Sequence, residues 1–357
     1  MPTAAGQIQP PRQYHHGTHH LDFESAIEVP DSHAWPDLDD LPSAAAAASP
    51  GTSVPVVDLS VSVDAVLGQL ASACAAWGAF QVTGHGVPPG LLLRAEAASR
   101  RLFALPTSHK LRAARPAEGG ASGYGTARIS CFFPKLMWSE GFTIAGSPLE
   151  HARTLWPAGD PLAFCDVIEE YSAHMQQLAR KLLRLMLFSL GLDDDDDDLG
   201  PIHETTAVLH LNSYPACPDP NRAMGLAPHT DSTLLTLLYQ SDSSGLQVLE
   251  QSNRWVTVPP MSGALIVNVG DLFQILSNGR YKSVVHRAVV DRSRHRISVA
   301  YMCGPQKDAK VSPLEKLVEA QGRAAYRAVT WPEYLNLKGK LFGMALESCQ
   351  EDMLVDE

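Results

Sequence analysis

The sequence is poor in cysteine, and its cysteines are not grouped. Six cysteines are spread over 357 residues, and none forms a Cys-x-x-Cys pair. This pattern disfavours both a disulfide framework and a structural zinc site, and it indicates a reducing compartment. No apolar segment at the start resembles a secretory signal, and the most apolar stretch, 182–192, contains Arg184 and is too short to span a bilayer. We therefore expect a cytoplasmic protein, with the nucleus as the alternative, and no membrane partner.

Positive charge is also scarce. The chain has 28 lysines and arginines against 39 acidic residues, which gives a formal net charge of −11. Such a balance argues against binding to a nucleic-acid backbone. Part of the acidic excess is the run 193–198, which is typical of a solvated loop. The sequence has no internal repeat, no phosphate-binding Walker motif and no dinucleotide-binding glycine fingerprint. Nothing in the sequence requires more than a monomer.

Composition divides the chain into four parts. We interpret 1–50 as a loosely ordered extension, with a histidine-bearing tail and an alanine-rich linker at 43–51, although 23–35 is expected to pack on the domain. Strands and helices are predicted for 51–200, a β core for 201–306, and helices for 307–357. The predicted helices cover 62–76, 90–105, 313–320, 332–346 and an apolar stripe running from Phe164 to Leu185.

The β core is predicted from short apolar runs that are rich in β-branched residues. Turn signals such as Asn278-Gly279 separate these runs. Close, even spacing of short strands favours a two-sheet β-sandwich or a jelly roll, whose mouth can hold a small ligand. The segment 268–271 is interpreted as a strand that ends in a turn. The predicted strands are 233–238, 245–249, 255–258, 264–269, 283–290 and 296–301.

Three fragments of this region suggest a metal site. His229 and Asp231 are two residues apart, so on a strand both side chains would face one cavity. With His286 they would supply the two imidazoles and one carboxylate that hold non-haem iron and leave positions open. Arg296 and Ser298 repeat the spacing, and a guanidinium matches a carboxylate bidentately. Each fragment alone is weak, but the set in this order is a specific prediction.

With these residues in place, the chain resembles the plant-type 2-oxoglutarate and iron(II)-dependent dioxygenases. The resemblance covers roughly 54–305 and includes the segments 54–59, 77–88, 210–218, 245–248, 268–272 and 278–287. Within that family, the segments 29–36 and 135–143 are most similar to gibberellin 3-oxidases. The resemblance implies a fold that is mainly β with flanking helices, built around a double-stranded β-helix, or jelly roll, with an N-terminal helical region. It also implies that the C-terminal helices of 307–357 pack near the mouth of the jelly roll.

The resemblance also implies a set of roles. His229, Asp231 and His286 would bind Fe(2+), and Arg296 and Ser298 would hold the remote carboxylate of 2-oxoglutarate. Tyr214 would donate to the same carboxylate, and Asn212 would orient the cosubstrate or the iron ligands. Dioxygen is the second cosubstrate, and ascorbate is a candidate reductant. The implied reaction is 3-beta-hydroxylation of nineteen-carbon gibberellin precursors.

The expected substrate is a rigid, apolar diterpenoid with one carboxylate. The segment 122–138 has aromatic and cationic residues suited to it, and its candidate contacts are Tyr124, Phe133, Lys135 and Trp138, with Arg128 as a second candidate for the acid. The alternatives are a gibberellin 2-oxidase, a 20-oxidase or another plant specialised-metabolite dioxygenase of the same chemistry. A silent jelly-roll binding protein is the alternative that is not an enzyme.

Overall fold

Two β-sheets form the centre of the molecule. The computed structural model describes residues 21–36, 38, 53–116, 120, 122–156, 159–192 and 204–351, so the tail histidines, the linker at 43–51 and the acidic run at 193–198 lie outside the described residues. The strands are β1 (Val56–Asp58), β2 (Ala79–Thr83), β3 (Gly123–Gly125), β4 (Glu140–Ala145), β5 (Thr205–Tyr214), β6 (Met224–His229), β7 (Leu235–Gln240), β8 (Leu246–Leu249), β9 (Trp255–Thr257), β10 (Leu265–Val269), β11 (His286–Val289), β12 (Arg296–Pro305), β13 (Lys310–Val311) and β14 (Val329–Thr330).

The large sheet has eight strands and is completed by both halves of the chain. Its order is β1-β2-β10-β7-β12-β5-β4-β3, and the smaller sheet has the order β6-β11-β8-β9. Apolar residues of both sheets, among them Leu238, Ile266 and Val248, form one buried cluster between them. This two-layer arrangement confirms the predicted jelly roll. Because β1–β4 form both edges of the large sheet, the sequence boundary at 200 does not separate two sheets.

The α-helices of the described segments are α1 (Val63–Ala76), α2 (Pro89–Phe103), α3 (Thr107–Lys110), α4 (Leu149–Leu155), α5 (Leu162–Phe188), α6 (Asp271–Leu276), α7 (Glu315–Gln321) and α8 (Trp331–Leu341). Of these, α1, α2 and α5 contact the outer face of the large sheet. The predicted stripe of α5 is buried against β7 and β12, where each fully buried leucine or phenylalanine contributes about 1.5–3 kcal/mol. No helix in these described segments is both long and apolar enough to cross a bilayer.

Several boundaries differ from the sequence prediction. The segment 268–271 does not end in a simple turn, because the six-residue helix α6 begins at Asp271. The last helix ends at Leu341, before the predicted 346, because Phe342 adopts a φ of 45° that an α-helix cannot contain. The large-sheet strand β12 extends to Pro305, beyond the predicted 301. The first two differences concern elements that lie beside the candidate site.

Part of the N-terminal extension packs on the domain, as expected for 23–35. Phe23 and His33 contact the ring of Trp138 edge-on, with ring centroids 5.0 and 5.9 Å away. The indole of Trp35 donates a hydrogen bond to the carbonyl of Leu136 at 2.8 Å. The extension therefore covers one side of the segment 135–138, next to the smaller sheet.

Candidate active site

Strand ends of the smaller sheet bring the predicted metal donors together. His229 ends β6 and His286 begins β11, and the two residues are direct partners in the antiparallel register. Asp231 lies two residues after β6, and its Oδ1 is 3.8 Å from the Nε2 of each histidine. One donor atom from each of the three side chains lies within 4.8 Å of the other two. The structure thus brings together residues that are up to 57 positions apart in the sequence.

Backbone contacts fix both imidazoles with the same nitrogen facing the cavity. The Nδ1 of His229 is 2.8 Å from the carbonyl of Ala227, and that of His286 is 3.2 Å from the carbonyl of Val284. A carbonyl only accepts, so each Nδ1 carries the proton and each Nε2 keeps a free lone pair. Burial, and then the neighbouring His286, lower the pKa of His229 to about 3. Both features keep the imidazole neutral, which is the form that binds a metal.

Asp231 has the charge that these imidazoles lack. Burial alone would raise the pKa of Asp231, but His286, His229, a hydrogen bond with Thr236 and the charge of Lys338 together lower it. Its second oxygen, Oδ2, is buried and has no hydrogen-bond partner. A buried carboxylate oxygen without a partner destabilises the folded state unless it binds a metal or another ligand. Two imidazoles on the same side as this carboxylate fit ferrous iron, and the lack of a thiolate disfavours structural zinc.

A buried polar network lies directly behind the His229–Asp231 turn. The backbone N–H of Asp271 donates to the carbonyl of Asp231 at 2.8 Å. The fully buried carboxylate of Asp271 accepts from Thr230 at 3.0 Å, from Tyr334 at 2.7 Å and from Lys338 at 2.7 Å. Lys338 also donates to the hydroxyl of Thr230. Thr230 points away from the cavity, as its position between the two ligands predicts, and ties the turn to α6 and α8.

Replacing Lys338 with methionine is expected to lower the free energy of unfolding by about 1.5 kcal/mol, because the Asp271 carboxylate loses one of its three donors while Thr230 and Tyr334 remain. Thermal unfolding and anaerobic iron titration would be measured together, since a loosened turn should also weaken iron binding. Lys340 is exposed on the same helix, and Lys340→Met serves as the matched control. Equal unfolding temperatures for the two variants would contradict a structural role for Lys338.

The second predicted constellation lies on two neighbouring strands of the large sheet. Arg296 faces Tyr214, and Ser298 faces Asn212, in the register of β12 and β5. The guanidinium carbon of Arg296 is 5.0 Å from the Tyr214 ring centroid, and the Asn212 amide donates to Ser298 at 3.4 Å. We call the face that carries these four side chains the inner face. Tyr214 packs there against residues of the smaller sheet, so the inner face points towards the metal donors.

Sequence reasoning missed Gln240, which orients Arg296. The Oε1 of Gln240 accepts from the Nη2 of Arg296 at 3.0 Å, while its amide donates to the carbonyl of Val258 at 3.2 Å. The Nε of Arg296 is buried without a partner. A Cβ at Gly245 would lie 2.9 Å from the Cδ of Arg296, so only glycine leaves room for this arginine. The guanidinium is therefore held in place with its Nε–H left for a ligand.

Burial sets the protonation of Tyr214. It raises the pKa of this tyrosine, against the smaller opposing effects of Arg296 and Ser298. The hydroxyl therefore keeps its proton near neutral pH and can donate to an anion. Together with Arg296 and Ser298, the inner face offers three donors to one carboxylate.

The structure separates the four predicted substrate contacts. Phe133 is half-buried and packs edge-on against Phe342, with centroids 5.4 Å apart, in an apolar cluster that includes Ala227 beside the metal donors. Trp138 is completely buried, and its indole donates to the carbonyl of Ala216 at 3.3 Å. Both aromatic residues therefore line or support the region next to β6, although Trp138 has no exposed surface to offer a ligand.

Tyr124 and Lys135 lie elsewhere. Tyr124 pairs with Phe142, and Phe142 pairs with Leu211, which lies on the helix-covered outer face. Tyr124 therefore faces outwards, and its hydroxyl donates to Glu140. The ammonium of Lys135 donates to the backbone carbonyl of Asp31 at 2.6 Å. The sequence around Tyr124 and Lys135 has no regular period, so the directions of these two side chains could not be predicted. Their contacts place both outside the substrate site that we propose.

Two family models match the chain. The model described as 2OG-Fe(II) oxygenase superfamily matches residues 205–305, which include both constellations. The model described as non-haem dioxygenase in morphine synthesis N-terminal matches residues 54–159. These two spans agree with the resemblance noted in the sequence.

Relatives and solved structures extend the match to nearly the whole chain. Gibberellin 3-beta-dioxygenase 1 of Arabidopsis thaliana is 52% identical over 335 residues, covering 92% of each chain. Gibberellin 3-beta-dioxygenase 2-3 of Triticum aestivum is 48% identical and covers 96% of this chain and 93% of its own. The crystal structure of JOX2 with 2OG, Fe and JA has a TM-score of 0.79 at 30% identity, covering 94% and 99%. The rice dioxygenase for auxin oxidation gives 0.69 at 29% identity, covering 84% and 100%. The chain therefore belongs to the 2OG-Fe(II) oxygenase superfamily, whose members use ferrous iron and 2-oxoglutarate.

Proposed function

We propose that the chain catalyses the 3-beta-hydroxylation of nineteen-carbon gibberellin precursors with iron(II), 2-oxoglutarate and dioxygen. The observation that carries the reaction is the convergence of His229, Asp231 and His286 within 4.8 Å, beside the inner-face arginine. The substrate class rests on relatives named gibberellin 3-beta-dioxygenase that are about half identical over more than nine-tenths of the chain.

In this proposal the three donors hold the metal. Each histidine presents Nε2, because its Nδ1 is used by a backbone carbonyl, and Asp231 supplies the negative charge. When bound, iron with 2-oxoglutarate supplies the oxidative decarboxylation that turns dioxygen into an oxidant for an unactivated C–H bond. The network of Asp271, Thr230 and Lys338 positions the turn that carries two of the ligands.

The inner face holds the cosubstrate in the same proposal. Arg296 presents a guanidinium oriented by Gln240, and Ser298 and Tyr214 add hydroxyl donors to the remote carboxylate. Asn212 positions the Ser298 hydroxyl through its amide. These groups bind and orient, and they keep water away, because Arg296, Ser298 and Tyr214 are all at most 3% exposed.

An aromatic cluster supplies the apolar wall for the substrate. Phe132 stacks on Phe342 with centroids 4.7 Å apart, and Phe133 packs on the edge of Phe342. Phe342 has a φ of 45°, a strained conformation for a side chain of this size, and such strain is often found where a ligand is bound. Phe342 directly follows α8, so the end of this helix would contribute to the wall.

The test is the identity of the product. Purified protein with iron(II), 2-oxoglutarate and a small panel of gibberellin precursors is expected to release succinate and one 3-beta-hydroxylated product, identified by mass spectrometry against standards. A 2-beta-hydroxylated product would indicate the sister 2-oxidase, and oxidation at carbon 20 would indicate the 20-oxidase. Binding of precursor without succinate release would favour a silent binding protein.

The proposal also includes the cellular compartment, the oligomeric state and the partners of the enzyme. We place it in the cytoplasm as a monomer, without a nucleic-acid or membrane partner. The six cysteines are all free thiols, five of them buried, which supports a reducing compartment. Size-exclusion chromatography with light scattering would test the monomer.

A further inference from the structure

Arg115 is a half-buried cation fixed at the edge of the large sheet. Its backbone N–H donates to the carbonyl of Tyr124 at 2.9 Å, next to β3. Gly123 has a φ of +121°, and a Cβ there would lie 2.8 Å from the nitrogen of Arg115. This glycine allows the close approach that sets the position of the arginine. Arg115 was not among the residues singled out from the sequence.

Among the described residues, the guanidinium of Arg115 has neutral hydrogen-bond partners. It donates to the hydroxyl of Thr143 at 3.2 Å and to the carbonyl of Thr126 at 3.4 Å. Its Nε is buried and has no partner. Across the part of the chain that the structure describes, no carboxylate forms an ion pair with Arg115 or with Arg128. A cation that is half removed from water without an anion is costly, so this arrangement suits an anion that arrives from outside.

A second cation lies close to the first. Burial, and then the positive charge of Arg128, lower the pKa of Arg115 to about 10, so both arginines remain charged near neutral pH. Arg128 donates to the carbonyl of Gly120 at 2.9 Å and is exposed. Two like charges placed together repel each other, and a shared anion removes that repulsion.

The pair lies one strand from the cosubstrate donors. Thr143, which holds Arg115, is the register partner of His210, and His210 shares the inner face with Asn212, two residues along β5. Burial and the two arginines lower the pKa of His210, whereas Asp231 raises it, so the arginines and the iron ligand act on the same imidazole. Through Thr143, Arg115 therefore lies on the inner-face side of the large sheet, the side that carries the cosubstrate donors.

Between the cosubstrate donors and the arginine pair, strands β4 and β3 carry glycines on the inner face. Gly141 faces Asn212, and Gly125 faces Gly141, so the inner face carries two adjacent glycines there. A Cβ built at Gly125 would meet no atom within 4 Å. The inner face therefore carries no side chain between Asn212 and the edge strand β3.

We propose that Arg115, assisted by Arg128, is the receptor for the carboxylate of the organic substrate. This inference rests on the function proposed above, in which the substrate is an apolar body with a single carboxylate. Arg296 is a separate receptor, on the other side of Asn212, and serves the cosubstrate. One end of the substrate is then held by charge at the β3–β4 edge, while its apolar body reaches the metal donors.

The test compares a charged and a neutral form of one ligand. A nineteen-carbon gibberellin precursor and its methyl ester would be titrated calorimetrically, without oxygen, into the enzyme loaded with iron(II) and 2-oxoglutarate. Wild-type protein should bind the acid about 10- to 100-fold more tightly than the ester, because only the acid makes charge-assisted hydrogen bonds. Arg115→Gln should lower the affinity for the acid to that for the ester, and leave the affinity for the ester unchanged.

Controls separate this site from the rest of the enzyme. Arg112 is exposed three residues earlier, and Arg112→Gln should keep the wild-type preference for the acid. Affinity for 2-oxoglutarate should be unchanged in Arg115→Gln, and unchanged affinity for the ester shows that the variant is folded. A preference for the acid that persists in Arg115→Gln would overturn the inference while gibberellin hydroxylation, and so the proposed function, stands. If wild-type protein binds neither form, the substrate class is wrong and the inference is overturned with it.

Discussion

Asp231→Ala is expected to abolish product formation and to reduce iron affinity by more than about 100-fold, since even the loss of a group that only supports a metal ligand costs 10–100-fold. The variant should remain folded, because the turn is held through the backbone carbonyl of Asp231, which accepts from Asp271 at 2.8 Å. Removal of the carboxylate also leaves two neutral imidazoles without the negative charge that a divalent cation needs. Succinate release and anaerobic iron titration would be measured on the same preparation.

A matched control shows that the effect is local. Asp242 is an exposed aspartate just after β7, and Asp242→Ala should keep wild-type turnover and iron content. Circular dichroism and thermal unfolding would establish that Asp231→Ala is folded. Normal turnover by Asp231→Ala would show that the ligand assignment is wrong, whichever substrate the enzyme uses.

The metal donors could be predicted because a strand has a strict period of two. That period places His229 and Asp231 on the same side and turns Thr230 away, where the structure has it bonded to Asp271. The third donor, His286, is 55 residues after Asp231 and was assigned from the family resemblance as much as from its own surroundings. The register of β6 and β11, which pairs His286 directly with His229, gives the physical reason for its place.

The supporting groups could not be predicted in the same way. Lys338 lies 108 positions from Thr230, and only folding brings the two side chains together. One local signal was present, because Trp331, Tyr334 and Lys338 lie on one face of α8 and the first two are buried. A lysine that continues an apolar stripe indicates a buried partner. The sequence carried no signal that this partner would be Asp271.

The direction of loop side chains was the weakest part of the sequence prediction. The segment 122–138 contains one short strand, β3, and a short 3-10 helix at Arg128–Phe132, so no period extends over it. Tyr124 turns to the outer face, whereas Arg115, outside that segment, donates a hydrogen bond to Thr143. Aromatic and cationic composition suggested a substrate region but could not give the directions of its side chains.

Arg296→Lys is expected to raise the KM for 2-oxoglutarate by about 100-fold, with a smaller effect on turnover at saturating cosubstrate. The guanidinium is 3% exposed, oriented by Gln240 at 3.0 Å and placed over the Tyr214 ring. A lysine keeps the charge but loses the planar fork that grips a carboxylate through two parallel hydrogen bonds. Steady-state kinetics with varied 2-oxoglutarate would measure the change.

The control for this variant lies two residues away. Arg294 is exposed, and Arg294→Lys should leave the KM for 2-oxoglutarate unchanged. The methyl-ester experiment on Arg115 adds a second comparison, because Arg115→Gln should affect the organic acid alone and Arg296→Lys the keto acid alone. If each variant weakens the binding of only one ligand, Arg115 is assigned to the carboxylate of the organic substrate and Arg296 to that of 2-oxoglutarate. An unchanged KM in Arg296→Lys would remove Arg296 from the cosubstrate site and leave the metal donors as the remaining support for the reaction.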